Sequence, residues 1–441
     1  MIRPSRAWRM ATALAAVSLV LTACGDDATT TNADDGDTAS ASPTEDDTGG
    51  GAAVPEGDGT LTVGSLLPST GDLAFLGPPE FAGVDLAVED INAAGGVLGQ
   101  DVEEIDADSG DGTPDIAGAE VDKLLSDKAD VIVGAAASGV SITVIDKITG
   151  AGVVHFSPAN TAAGFDDPET DPNNLYFRTA PSDFLQGEIL ANLILDDGFD
   201  NVAVMGRQDF YGEGLSERVA EVLEEKGATV SENVLYAADA QNYTAEVAQV
   251  AASKPEALVL VSFDETAKII PQLVAKNIGP EDIQLYFVDG NLSNELYVDG
   301  GYDLTGVKGT APTSATPDKD FEARLKAAPA MKGDTLLYGP ESYDAVIISA
   351  LAAIAAGSDS GEAVGSEIVN VTRDGTECPT FEECAQLLED GEDIDYAGPS
   401  GPADMTDSGS LIAGTYGISE YGKGNTYEQI DTVSGVVPPT Q

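Results

Sequence analysis

Few residues in this chain could carry out covalent or metal chemistry. The 441 residues include one histidine, His155, and three cysteines, Cys24, Cys378 and Cys384. His155 lies in the apolar run 153–157, where a packed core residue is a simpler interpretation than a catalytic one. No second histidine completes a nucleophilic triad or a histidine-rich metal site, and no Gly-Lys-Ser/Thr phosphate loop occurs. The sequence therefore predicts no enzymatic activity, no metal and no cofactor.

Two of the cysteines lie close together, in the sequence Cys-Pro-Thr-Phe-Glu-Glu-Cys at residues 378–384. Outside the cytoplasm, two cysteines at this spacing are typical of a disulfide bond. A metal site is the alternative, but no further cysteine or histidine lies near enough in sequence to complete a ligand set. A Cys378–Cys384 disulfide is the favoured interpretation.

Residues suited to binding a small molecule are more abundant. Six short stretches that follow apolar runs are rich in Ser, Thr, Asn, Asp and Gly, and they include Phe75, Tyr211 and Phe263. The stretches are residues 67–77, 135–141, 158–162, 208–212, 262–265 and 289–294. This mixture suits a small polar molecule that also has an apolar part.

The elements that must position these stretches alternate between strands and helices. Apolar runs predict strands at 61–67, 102–107, 130–134, 153–157, 201–206, 229–236, 257–261 and 284–288. Apolar spacings of three and four residues predict helices at 78–94, 115–128, 139–149, 184–195, 215–226, 244–253, 265–276 and 343–355. The order predicts parallel sheets covered by helices, and its restart after the loop at 166–174 predicts two lobes. Ligands bind beyond the carboxyl ends of such strands, which is where the six polar stretches lie.

The charge composition excludes several classes of function. There are 77 Asp and Glu residues but only 20 Lys and Arg, which gives a formal net charge of −57. A polyanion of this size repels nucleic acid and anionic lipid, so any membrane attachment must be covalent or hydrophobic. The hydrophobic fraction of 42% is too high for a disordered acidic protein. The chain is therefore expected to fold and to carry an acidic surface.

The first 23 residues have the order of a secretory signal peptide. Three arginines within residues 1–9 precede an apolar stretch at 10–21, and Leu-Thr-Ala-Cys follows at 21–24. The apolar stretch is shorter than the roughly 20 residues that a membrane span needs. Leu-Thr-Ala-Cys resembles a bacterial lipobox, which implies cleavage before Cys24 and lipid attachment to its sulfur. An ordinary signal peptide with a chance cysteine is the alternative.

Residues 24–59 form a predicted acidic, disordered tether. From residue 25 to residue 58 the sequence has ten acids, no base and no aromatic residue, so it has nothing to bury. Such a segment would hold a folded body away from a membrane surface. A low-complexity spacer without a specific role is the alternative, and it differs little in physical consequence.

Several motifs occur in a characteristic order along the folded part of the chain. They are G-D-L-A-F-L-G-P-P-E-F-A-G-V, D-I-N-A-A-G-G-V-L-G, V-I-V-G-A-A-A-S-G, F-S-P-A-N-T, F-R-T-A-P-S-D, D-F-Y-G-E-G-L and E-S-Y-D-A-V. From about residue 60 to about residue 427, their order and spacing resemble the branched-chain amino acid (Leu/Ile/Val) binding family of ABC transporter substrate-binding lipoproteins. The cysteine loop followed by D-I-D-Y-A-G-P-S-G-P-A-D resembles actinobacterial members of that family.

The resemblance implies the periplasmic binding protein type 1 fold. This is an α/β fold of two Rossmann-like lobes, each a parallel sheet flanked by helices, with a ligand cleft between them. Three crossovers would join the lobes near residues 178–181, 310–316 and 397–402. Lobe one would hold residues 60–178 plus 316–396, and lobe two would hold residues 179–315 plus 397–441.

The resemblance also implies which residues of lobe one bind the ligand. Ser138 and the Ser157–Thr161 segment would hold the α-carboxylate and α-ammonium groups of an amino acid. Thr161 would act through its hydroxyl and Asn160 mostly through its backbone. Hydroxyls and free N–H groups satisfy a carboxylate at lower cost than a buried arginine does. The sequence alone also allows Ser138 and Thr161 to be ordinary strand-end caps.

In lobe two the resemblance implies aromatic contacts from Tyr211 and Phe263, and an acid, Asp289, that pairs with the ligand ammonium. Leucine binders usually have a glutamate after a proline at the position of Asp289. They often place an aromatic residue where this chain has Leu76. Both departures bear on the identity of the ligand, and without the resemblance Asp289 and the following glycine would be interpreted as a plain turn.

The function that the resemblance implies is capture of a small amino acid or similar solute, branched-chain type favoured, by hinge closure. The protein would be a monomer, lipid-anchored through Cys24 on the outer face of the cell membrane. It would deliver the solute to ABC permease subunits, and through them it would have an ATPase as a further partner. An extracellular sensing module that acts on a receptor is the alternative. Such a sensor normally continues into a transmembrane helix, and residues 60–441 contain no apolar run of about 20 residues. A purely structural surface protein, which would bind nothing, is a third option.

Overall fold

The computed structural model describes residues 57–112 and 115–438 of the chain. The predicted signal peptide, Cys24 and nearly all of the predicted tether at 24–59 lie outside these described residues. All described residues fall in one unit of dense internal contacts.

Strands and helices alternate along the chain. The first part contains β1 (Thr62–Leu67), α1 (Gly77–Ala94), β2 (Glu103–Asp108), α2 (Ala117–Ser126), β3 (Val131–Gly134), α3 (Ser138–Thr149), β4 (Val154–Ser157) and β5 (Tyr176–Arg178). The middle part contains α4 (Asp183–Asp196), β6 (Asn201–Arg207), α5 (Phe210–Glu225), β7 (Thr229–Tyr236), α6 (Thr244–Ser253), β8 (Ala257–Val261), α7 (Thr266–Val274), β9 (Gln284–Phe287) and β10 (Lys308–Pro312). The last part contains α8 (Lys319–Ala327), α9 (Gly339–Ala356), α10 (Gly361–Ile368), β11 (Thr376–Cys378), α11 (Phe381–Glu389), β12 (Ile394–Gly398), β13 (Gly401–Pro402), β14 (Ala413–Tyr421) and β15 (Tyr427–Val436).

Two main sheets confirm the predicted α/β class and its two lobes. The first lobe is built on a five-stranded sheet in the order β2-β1-β3-β4-β5, in which all neighbours are parallel. The second lobe is built on a seven-stranded sheet in the order β15-β14-β10-β9-β8-β6-β7. Its strands are parallel from β10 to β7, and the two C-terminal strands, β14 and β15, add to it antiparallel. A small sheet of β11, β12 and β13 completes the fold.

Three connecting segments pass between the lobes. They follow β5, β10 and β13, and they comprise residues 179–182, 313–318 and 403–412. The long helix α9 packs with β3, β4 and α1 in the core of the first lobe. Met405 and Leu411 also belong to that core, although the predicted boundary at residue 397 assigns them to lobe two. The packing of residues 403–411 thus groups this segment with the first lobe. The other boundaries between the lobes stay predictions.

Helix α5 begins at Phe210, five residues before the predicted start at residue 215. The carboxylate of Asp209 accepts a hydrogen bond from the Gly212 N–H at 2.7 Å and so caps the helix. Gly212 and Gly214 interrupt the apolar spacing, which is why periodicity alone missed the first turn. The earlier start places Tyr211 in the first turn of a helix instead of in a loop.

A disulfide bond joins Cys378, at the end of β11, to Cys384 in α11, with the two Cα atoms 5.4 Å apart. Both cysteines are buried in the core of the first lobe. Within the described residues, no single helix has the length and apolar character to cross a membrane. Helices α9 and α10 meet these criteria only as a pair, and the chain bends by 103° between the two helices.

The crossing of α1 and α9 depends on Gly83. A Cβ atom at this position would lie 2.2 Å from the carbonyl oxygen of Gly339, a backbone atom that cannot rotate away. Replacing Gly83 by alanine is therefore expected to lower the free energy of unfolding by about 1–3 kcal/mol, measured by urea denaturation. Gly118, in α2, is the matched control because a Cβ atom added there would have no neighbouring atom within 4 Å. Gly118→Ala is expected to stabilise by about 0.5–1 kcal/mol, and equal effects of the two changes would contradict this account.

Candidate functional site

A small cavity lies between the carboxyl ends of the two parallel sheets. Its lining comprises Leu73, Leu76, Ala136, Ala137, Ser138, Ala159, Thr161, Tyr211, Phe263, Asp289, Gly290 and Tyr338. Its volume of about 10 Å³ is close to the space that a single water molecule needs. The two lobes are therefore closed on each other at this site.

Six of the seven residues predicted to bind the ligand line this cavity, and Asn160 does not. The Asn160 side-chain amide donates to the carbonyl oxygens of Ala135 and Ala136, each at 2.9 Å. Its carbonyl oxygen accepts from the Tyr176 hydroxyl at 2.9 Å. The side chain thus holds the loop after β3 in place, and the predicted ligand contact of Asn160 is limited to its backbone.

The first-lobe wall of the cavity is a pair of loops joined by hydrogen bonds. The Ser157 hydroxyl donates to the carbonyl oxygen of Ala135 at 2.7 Å and accepts from the Asn160 N–H at 3.0 Å. The Ser138 hydroxyl accepts from the Ala162 N–H at 3.4 Å. Ser138 and Thr161 both line the cavity beside these bonds.

Asp289 is the charged group of the second-lobe wall. Its carboxylate accepts hydrogen bonds from the amide of Gln186 (2.9 Å) and from the hydroxyls of Tyr211 (2.9 Å) and Tyr338 (2.8 Å). The residue is only 5% exposed, and within the described residues no lysine or arginine forms an ion pair with it. Burial raises the pKa of Asp289, and the hydrogen bonds from Tyr338, Gln186 and Tyr211 oppose that rise. The plain-turn interpretation does not account for this network.

A second buried acid, Asp183, was not predicted as a site residue, although it ends the F-R-T-A-P-S-D motif. It lies in the first turn of α4, its N–H donates to the carbonyl oxygen of Thr161 at 2.7 Å, and the residue is fully buried. Neither carboxylate oxygen has a hydrogen-bond partner within the described residues. Burial raises its pKa well above the usual value, and the nearby charge of Asp289 raises it further. The sequence offered only a Ser-Asp pair at a helix start, which is a common capping pattern.

The apolar part of the wall combines aromatic and aliphatic groups. The rings of Tyr211 and Phe263 stack with centroids 5.6 Å apart. The guanidinium of Arg207 lies 3.5 Å from the centroid of the Phe263 ring, and its Nη1 atom is 3.1 Å from the Glu265 carboxylate. These contacts fix the aromatic wall, while Leu73 and Leu76 supply the aliphatic surface.

His155 does not line the cavity. It is fully buried in β4 with its ring edge-on to Tyr176, at a centroid distance of 5.2 Å. Burial lowers its pKa to about 3, so it is neutral at physiological pH. This placement agrees with the interpretation of His155 as a core residue.

Comparisons with known proteins find similarity to substrate-binding proteins. A sequence profile of the Periplasmic binding protein family matches residues 60–408. The chemotactic signal transduction system substrate-binding protein BasB of Halobacterium salinarum is 27% identical over 357 residues, which cover 78% of this chain and 83% of BasB. The Leu/Ile/Val-binding protein BraC3 of Rhizobium johnstonii is 27% identical over 336 residues, 75% of this chain and 88% of BraC3.

Among solved structures, the chain is similar to LivJ, a branched-chain amino acid transporter substrate binding protein of Streptococcus pneumoniae in complex with isoleucine. The TM-score is 0.68 at 21% identity, and the match covers 85% of this chain and all of LivJ. At this level of identity the similarity concerns the fold.

Proposed function

The chain belongs to the periplasmic binding protein family, and from that premise we propose that it captures an amino acid between its two lobes and delivers it to an ABC permease. A branched-chain amino acid is the favoured ligand. Its transfer to the permease subunits, which would link the protein to an ATPase, follows from the transporter role of the family.

The observation that carries this proposal is the environment of Asp289. Three neutral donors converge on its buried carboxylate, yet no cation of the described residues pairs with it. A buried carboxylate costs several kcal/mol unless a cation compensates it. An ammonium group on the ligand would supply that compensation.

The opposite wall suits the other groups of an amino acid. Ser138 and Thr161 offer hydroxyl groups at the cavity, and hydroxyls can bind a carboxylate without a buried base. Leu73, Leu76 and the ring of Phe263 offer an apolar surface for a short aliphatic side chain. The three kinds of group match the three parts of an apolar α-amino acid.

Asp183 strengthens the preference for a cationic ligand group. It lies directly behind Thr161, and burial, together with the nearby charge of Asp289, raises the pKa of Asp183. A ligand ammonium near both acids would oppose this rise. We propose that Asp289 contacts the ammonium directly and that Asp183 orients the Thr161 loop and adds to the negative potential.

Capture requires the lobes to move. A cavity of about 10 Å³ cannot hold an amino acid, so the ligand must enter while the lobes are apart. Hinge bending in the three connecting segments would open the cleft, and the ligand would favour the closed form by contacting both lobes.

The predictions for the N-terminal residues are kept as part of the proposal. A signal peptide at residues 1–23, lipidation of Cys24 and the acidic tether would place the folded lobes outside the cytoplasm, close to the permease. The protein would act there as a monomer.

A sensing role on a receptor is the second candidate. It is favoured by one relative, BasB, whose name assigns it to a chemotactic signal transduction system. The capture step would be the same in both roles, and only the protein that receives the closed form would differ. Copurification with a permease rather than with a chemotaxis receptor would support the transport role.

A thermal-shift screen against amino acids, amides, ureas and small carboxylates tests the ligand class. A true ligand is expected to stabilise the protein by about 4 kcal/mol at a thousandfold excess over its dissociation constant. Small-angle scattering with the same compound should show compaction. Stabilisation by a carboxylate that lacks an amine, without any response to amino acids, would contradict the proposed ligand.

A further inference from the structure

A second and larger cavity lies at the segments that connect the lobes. It has a volume of about 430 Å³, and all three connecting segments contribute to its lining. The lining includes Thr179 and Pro181 of the first segment, residues 313–316 of the second, and Leu411 of the third. An adjoining cavity of about 290 Å³ shares Thr313, Ser314, Ser400 and Glu341 with it.

Glu341 is the charged residue common to both cavities. It lies in the first turn of α9 and is only 5% exposed. Within the described residues, its carboxylate forms no ion pair and accepts no hydrogen bond from another side chain. The backbone carbonyl of Glu341 accepts from the Thr179 hydroxyl at 2.9 Å, which fastens the helix start to the first connecting segment.

Two more buried acids surround Glu341, and no base accompanies them within the described part of the chain. Glu80, in the first turn of α1, is fully buried, and both of its carboxylate oxygens lack a partner among the described residues. Asp344, one turn further along α9, accepts from the Tyr396 hydroxyl at 2.6 Å and from the Ser400 N–H at 2.9 Å. Burial raises the pKa of Glu341 to about 8 and that of Asp344 to about 7. Within the described residues, an ionised Glu341 would therefore have no lysine or arginine as its counter-charge.

The lining indicates what kind of cation would fit. Within the described residues, the one group of three acids whose ligand atoms are close enough for a metal ion is Asp72, Asp264 and Glu265, which does not include Glu341. Around Glu341 the cavities instead offer Thr and Ser hydroxyls together with apolar surface, such as that of Leu411. The volume exceeds that of a bare ion many times over. We propose that the cavity of about 430 Å³ at the connecting segments, here called the hinge cavity, binds a small organic ammonium ion. The charged group of the ion would lie at Glu341, and its apolar body would lie between the connecting segments.

Isothermal titration calorimetry with n-butylammonium tests the proposal. Measurements at about pH 8.5 keep the amine protonated and favour ionised Glu341. The protein is expected to bind the probe at Glu341, and Glu341→Gln is expected to weaken binding at this site at least about tenfold. Because glutamine has the shape of a protonated glutamate, this variant should keep the melting temperature of the wild type. Neutral n-butanol should not bind at this site.

Two further variants locate the site. Glu322 lines only the adjoining cavity and lies 3.7 Å from Lys326, so Glu322→Gln is the matched control and should bind n-butylammonium like the wild type. Asp289→Asn, which alters the amino acid cleft, should also leave this binding unchanged. Loss of binding in Asp289→Asn, equal binding in Glu341→Gln and the wild type, or no saturable binding at millimolar probe would each overturn the proposal. These outcomes are independent of whether an amino acid binds in the cleft.

Discussion

Asp289→Ala is expected to lower the affinity of the cleft for an amine-bearing ligand more than about a hundredfold, or about 3 kcal/mol. The buried carboxylate is the negatively charged group in the cavity lining. Without it, the ligand ammonium would be desolvated with no counter-charge in contact. Calorimetry with the ligand found in the thermal-shift screen measures the change.

Two variants separate loss of the charge from loss of the fold. Asp289→Asn keeps the shape of the side chain, but it offers one acceptor oxygen where the carboxylate accepts from three donors. A modest fall in the melting temperature of the ligand-free protein is therefore expected, together with a cooperative unfolding transition and a large fall in affinity. Asp299, an exposed residue after β9, is the matched control, and Asp299→Ala should change neither quantity. Wild-type affinity in both Asp289 variants would place the ammonium elsewhere or show that the ligand has none.

Arg178→Met is expected to lower the free energy of unfolding by about 3–5 kcal/mol, because it leaves buried groups without their partner. Arg178 is fully buried at the end of β5 and forms an ion pair with Asp166. Its guanidinium also donates to the carbonyl oxygen of Ala162 at 2.9 Å and to the Ser410 hydroxyl at 3.0 Å. One side chain thus ties the Thr161 loop to the third connecting segment. Urea denaturation of the ligand-free protein measures the loss.

The control for Arg178 is an arginine whose partner is exposed. Arg373 pairs with Asp407, whose side chain is 90% exposed, so Arg373→Met is expected to cost no more than about 1 kcal/mol. A combined Arg178→Met and Asp166→Leu variant should recover part of the lost stability, because it removes the unpaired charge as well. A loss for Arg178→Met as small as that for Arg373→Met would show that the buried pair contributes little.

Local sequence was sufficient for most of the secondary structure. The strand at Thr229–Tyr236 and the helix at Thr244–Ser253 have the predicted bounds, because apolar spacing and flanking polar residues define each of them within a few residues. The start of α5 was missed because it depends on one capping bond from Asp209, which apolar spacing does not report.

Some residues of the candidate site could also be predicted from the sequence, and others could not. The polar stretches after the strands indicated the loops at the cleft, since the carboxyl ends of parallel strands meet at one edge of a sheet. The family resemblance then implied Ser138, Thr161 and Asp289 within these stretches. Asp183 and Tyr338 gave no such signal. Asp183 lies at the start of α4, and Tyr338 directly precedes α9. Residues in such positions occur at any surface helix and do not indicate a site.

Only the tertiary structure made these two residues part of the site. The connecting segments bring α4 and α9 against the cleft, where Tyr338 donates to Asp289 across 49 residues of sequence and Asp183 lies buried beside the Thr161 loop. The hinge cavity likewise exists only where three segments far apart in the chain come together around Glu341. The sequence by itself determined the two lobes, their alternating elements and the polar stretches at the cleft, because these follow from local periodicity and chain order, whereas the individual cleft residues were implied by the family resemblance. Which acids become buried together was decided by packing between distant segments, which no local pattern encodes.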